Sequence, residues 1–171
     1  KGLIESTGNE RFAWDSYRRF VQMFSKVVLC REGDLFENAL SSKKQARRVK
    51  NDTDLSAADL EDLVAQFKEI VAEHAKADDF PQLVNGSGRV EFPQDPDTQM
   101  LLSIEAVFKS WMNNRAILYR KMNRIDASIG TAVNIQTMVF GNKGKTSATG
   151  VAFTRDPASG EHVFYGDFLT D

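Results

Sequence analysis

Apolar positions at Phe12, Tyr17, Phe20, Met23, Phe24, Val27 and Val28 recur at helical spacing, and Asn9 stands where a helix N-cap is favoured. This pattern predicts a helix over about residues 10–30. A shorter one follows over about 34–49, with Leu35, Phe36, Ala39 and Leu40 inward. The strongest stripe is Leu60, Leu63, Val64, Phe67, Ile70, Val71 and His74, opened by Ser56 and Asp59 in the positions of a capping box. Three of the four prolines then fall within residues 76–98, which predicts a linker or surface loop there. Asp95 followed by Pro96 starts another helix, with Met100, Leu101, Ile104, Phe108, Trp111 and Met112 as its stripe. A turn at "NNR" leads into "AILYRKMNRI".

After Ile129 the period changes from helix to strand. Val133, Ile135, Thr137 and Val139 alternate with Asn134, Gln136, Met138 and Phe140. "GVAFTR" and "HVFYGDFL" read as two further strands joined by the turn "DPASGE". The fold class is therefore α+β, a helical subdomain followed by antiparallel strands. The expected division is 1–81 and 82–171.

Composition narrows the field. Hydrophobic residues are 42% and charged residues 27%, as in ordinary globular proteins. A net charge of −2 argues against a broad basic surface for nucleic acid. No apolar run approaches the ~20 residues that span a bilayer, so no membrane partner is expected. The single Cys30 forbids an intrachain disulfide and suits a reducing, intracellular compartment. The first residues lack a methionine and a signal-peptide pattern, and the last fall inside a predicted strand, so the chain reads as a piece of something larger.

Two stretches carry candidate chemistry. "GNKGKTSATG" gathers glycines, hydroxyls and lysines between two predicted strands. It is either a plain hairpin tip or a cradle whose amides converge on a phosphate. It is not a Walker A loop, which lies between a strand and a helix. The second stretch is "YRR". With Phe20 as the zero of a helical wheel, Arg18 falls about 160° away and Arg19 about 100° away. Arg18 is thus expected in solvent and Arg19 beside the buried stripe. From there Arg19 either pairs structurally with a carboxylate or reaches a phosphate. His74 and His162 lack ligand partners at metal spacing and read as structural, as do Trp14 and Trp111. No Ser-His-Asp or Cys-His set stands out, so no catalytic residue and no metal ligand is assigned within the chain.

The stretches "GNERFAWDSYRRFVQMF", "NDTDLSAADL", "WMNNRAILYRKMN", "GTAVNIQTMVFGNKGKTSATGVAFTRDPASGE" and "YGDFL" resemble the N-terminal, ATP-grasp-like nucleotide-binding domain of the pyruvate, phosphate dikinase family. The resemblance implies ATP and Mg²⁺ as cofactors. It implies a reaction in which ATP passes its βγ portion to a histidine, inorganic phosphate accepts one phosphoryl group, and the phosphohistidine phosphorylates pyruvate. It also implies that metal ligands and catalytic histidine lie outside these residues. The implied partners are the phosphohistidine domain of the same polypeptide and a second subunit in a homodimer. Cytosol, plastid and a peroxisome-like organelle stay equally open.

By the same resemblance, Arg19, Thr149 and Gly150 match phosphate-side positions, and Gln136, Met138 and Val139 match the adenine-side strand. Ala148, Asp167 and Thr170 depart from the family's usual residues, and residues 41–50 and 83–94 fit it less well. The alternatives are a phosphoenolpyruvate synthase-type dikinase domain or a non-catalytic helical interaction module.

Overall fold

A computed structural model describes residues 2–170. The chain divides into two compact units, one up to Asn134 and one from Ile135 onward. The fold class is α+β, helices first and a two-stranded antiparallel sheet last.

In the first unit, α1 (Gly2–Thr7) precedes α2 (Glu10–Val27), where the Asn9 side chain accepts the Phe12 N–H at 3.0 Å. That bond satisfies one of the amides that a helix start leaves without a partner. The helix is followed by Cys30 at φ 54, which turns the chain into α3 (Gly33–Arg47). At α4 (Ala57–His74) the capping box is complete. Ser56 Oγ accepts the Asp59 N–H at 3.2 Å, and the Asp59 carboxylate accepts the Ser56 N–H at 3.2 Å. Asp therefore closes the box that Glu usually closes. Asp95 caps α5 (Pro96–Ser110) by accepting the Thr98 N–H at 2.8 Å. Asn113 caps α6 (Asn114–Asn123), which stops at Arg124 in the left-handed region.

The core forms where α2 and α3 meet α4. Val21 and Phe24 of α2, Phe36 and Leu40 of α3, and Leu60, Leu63, Phe67 and Val71 of α4 are all buried together. Phe36 meets Phe67 edge-on at 5.0 Å between ring centroids. The segment expected as a linker or surface loop, 76–98, is instead a strap over this core. Phe80, Leu83, Val90 and Phe92 are buried, and Phe92 packs edge-on against Phe24 at 5.3 Å. Proline and glycine deny the segment a helix or a long strand, but not burial of the large side chains between them. The core thus runs past residue 81 to include Leu102.

The second unit holds β1 (Ala148–Phe153) paired antiparallel with β2 (Tyr165–Thr170), in register from Ala148 opposite Thr170 to Phe153 opposite Tyr165. The turn between them is an Asx turn. Asp156 Oδ1 accepts the N–H groups of Ala158 at 2.7 Å and Ser159 at 2.9 Å, and Gly160 follows at φ 76. The predicted strand over 133–140 carries no regular secondary structure. Its alternating pattern is real, but a strand also needs a neighbour for its backbone groups, and β1 pairs only with β2 among the described residues. Every residue of β1 and β2 is exposed.

Candidate functional site

The arginine pair is arranged opposite to expectation. Arg18 has a side chain 3% exposed, whereas that of Arg19 is 56% exposed. Phe20 is not the centre of the buried face of α2. The fully buried positions of α2 are Val21 and Ser25, while Phe20 lies at the edge. Counted from Val21, Arg18 is only about 60° away and Arg19 about 160° away.

Asp15 explains how a guanidinium is tolerated inside. Its Oδ1 accepts Arg18 Nε at 3.0 Å and Nη2 at 2.7 Å, and its Oδ2 accepts Arg19 Nε at 3.0 Å. Arg18 also reaches Gln22 Oε1 and Asp52 Oδ2, each at 3.4 Å. Asp52 in turn takes Lys44 Nζ at 3.0 Å, and its backbone carbonyl accepts Arg11 Nη2 at 2.8 Å. The spacing of the carboxylate three and four residues before the two arginines places all three on adjoining turns of one helix. Burial alone would raise the Asp15 carboxyl. The hydrogen bond and charge of Arg18, joined by those of Arg19, reverse this and hold it below the ordinary carboxylate range.

In the second unit, Thr149 and Gly150 lie in β1 rather than in the tip of the loop before it, facing Leu169 and Phe168 across the sheet. The loop closes on them. Ser147 N–H donates to Gly144 O at 2.7 Å, and Gly144 has φ 133. A Cβ on Gly141 would overlap the Thr149 hydroxyl and sit 2.6 Å from the Ala148 carbonyl oxygen. Glycine at 141 is what allows the loop's start and end to touch. Lys143 Nζ stands 5.8 Å from the Phe140 ring. Gln136, Met138 and Val139 lie in the irregular run ahead of this loop. Met138 is 68% exposed and Val139 90% exposed. Thus Gln136, Met138, Val139, Thr149 and Gly150 share the second unit, while Arg19 belongs to the first.

Sequence reasoning missed Asp15, although a carboxylate at this spacing before two arginines was a legible signal. It also missed Arg120, which is buried, stacks on Trp111 at 3.9 Å and donates from Nη1 to the Trp111 carbonyl at 2.6 Å. Trp111 therefore carries a cation, while Trp14 packs against the core as expected. Among the described residues no group of three or more His, Cys, Asp or Glu could hold a metal ion. They do not fit a metal centre, and no step is assigned to one. No described helix is long and apolar enough to cross a membrane.

A family model described as "Pyruvate phosphate dikinase, AMP/ATP-binding domain" matches residues 75–167. The match takes in more than half of the chain, and the chain belongs to this family. Relatives match it almost from end to end. The pyruvate, phosphate dikinase of Clostridium symbiosum is 49% identical over 169 residues, covering 99% of this chain and 18% of that protein. Pyruvate, phosphate dikinase 1, chloroplastic, of Arabidopsis thaliana is 51% identical over 170 residues, covering 99% of this chain and 16% of that protein. Its namesake from Oryza sativa subsp. japonica is 49% identical over 170 residues, with the same two shares. The chain thus spans under a fifth of the length of these relatives.

Proposed function

We propose that the chain is part of the ATP-binding region of a pyruvate, phosphate dikinase. The observation that carries this reading is the family match over 75–167 together with near-complete coverage at about half identity to proteins of that name. The whole enzyme would interconvert ATP, pyruvate and phosphate with AMP, phosphoenolpyruvate and pyrophosphate through a phosphohistidine carried elsewhere in the polypeptide. Phosphoryl transfer of this kind depends chiefly on positioning and charge stabilisation. In this reading Arg19 supplies positive charge to the phosphates, and Thr149 and Gly150 supply a hydroxyl and a backbone without a side chain beside them. Gln136, Met138 and Val139 face the adenine.

Three features support these roles. Among the described residues Arg19 is hydrogen-bonded through Nε alone, which leaves its Nη groups for an anion. Thr149 and Gly150 adjoin a closed glycine loop. Met138 and Val139 leave apolar surface open to a ring. The assignment of 82–171 to the nucleotide-binding part is supported by the start of the family match at residue 75. Mg²⁺, the phosphohistidine domain and a homodimer belong to the whole enzyme in this proposal. A titration of the full-length protein with ATP tests it: saturable binding is expected, and a non-catalytic helical module would give none.

A further inference from the structure

We propose that Asp15 is a positioning residue for the ATP half-reaction, acting through Arg19. The inference rests on the phosphate role of Arg19 argued above and deepens it. A long arginine side chain that is half exposed normally samples many rotamers, and a surface ion pair restrains it weakly. Arg19 is restrained differently, because its acceptor is buried and cannot follow it. The Asp15 side chain is only 7% exposed, and Arg18 grips Oδ1 through two nitrogens. Oδ2 is thereby aimed at Arg19 Nε, 3.0 Å away. The contact consumes the one donor on the stem side of the guanidinium, and the side chain beyond it is 56% exposed.

The charge balance fits this role. Arg18, Arg19 and Lys44 face Asp15 and Asp52, three cations against two carboxylates, so one surplus positive charge remains. Arg19 is the most exposed cation of the set, so the surplus is presented where an anion can reach it. Arg18 neutralises the carboxylate that would otherwise cancel Arg19. Holding a cation in its working geometry before the anion arrives lowers the entropy lost on binding and in the transition state.

The test is a double-mutant cycle in the full-length enzyme, following the rate of phosphoenzyme formation from ATP and phosphate. Asp15→Asn is expected to slow this step about tenfold in the parent and less than about twofold in an Arg19→Ala background. A merely structural Asp15 would give the same loss in both backgrounds, and that result overturns the proposal while leaving the Arg19 reading intact. An Arg19→Ala variant of parental rate overturns both. Because Asp15→Asn strands the buried Arg18, the unfolding midpoint of each variant is measured and the rates are compared well below it. A rate loss confined to conditions in which Asp15→Asn is partly unfolded also overturns the proposal.

Discussion

Arg18 and Arg19 are neighbours in sequence and share one acceptor, Asp15, yet the first is sealed in the helical unit and the second stands half in solvent. One carboxylate divides two identical side chains into a buried structural cation and an exposed one. The same substitution at the two positions should therefore produce different kinds of damage.

Arg18→Ala removes one partner from a buried network and leaves Asp15 without its main counter-charge. Breaking a buried pair in this way costs about 3–5 kcal/mol. Thermal unfolding of the full-length protein should show a marked loss for Arg18→Ala. Arg19→Ala should change the midpoint little, because its side chain is largely exposed.

Acid should weaken the helical unit through Asp15. Its folded carboxyl titrates below the usual 3.8. A depressed carboxylate adds stability above the unfolded value and loses it as pH falls through the folded one. Unfolding measured from neutral pH down past 3.8 should therefore fall more steeply in the parent than in Asp15→Asn, which has no such proton to take up.

Gly141→Ala places a methyl group against the Ala148 carbonyl and the Thr149 hydroxyl, so the loop must open. ATP affinity of the full-length protein should drop about tenfold or more, as small displacements of binding groups commonly cause. The helical unit should unfold at its parental midpoint. Unchanged affinity would remove the loop from the proposed phosphate side.

Phe92→Ala distinguishes a strap from a linker. Phe92 is 4% exposed and meets Phe20, Phe24 and Tyr17 edge-on. Truncating such a ring costs about 3–5 kcal/mol, against under about 0.5 kcal/mol for a surface loop. Chemical denaturation of the full-length protein measures the difference.

The parts of the fold that depend on local rules were legible. Asn9, Ser56, Asp59, Asp95 and Pro96 mark helix starts by their own side chains, and each does so in the structure. The Asx turn at Asp156 follows from the same chemistry. What depends on partners was not legible. The run 133–140 alternates as a strand does, but pairing is a property of two segments. Phe80 and Phe92 sit among breakers, and only the packed core reveals that they are buried. The roles of Arg18 and Arg19 were exchanged because α2 is apolar over much of its circumference, so a wheel drawn from one aromatic residue was off by about one position. The family was legible in the strand-loop-strand signature, and the family match covers that stretch.

The most direct measurement is ATP binding and ATP-dependent phosphoenzyme formation in the full-length protein, comparing the parent with Arg19→Ala and Thr149→Val. The account predicts saturable ATP binding in the parent, with both variants losing about tenfold or more in the phosphoenzyme rate while keeping the parental unfolding midpoint. A parent that does not bind ATP, or variants that form phosphoenzyme at the parental rate, would contradict it.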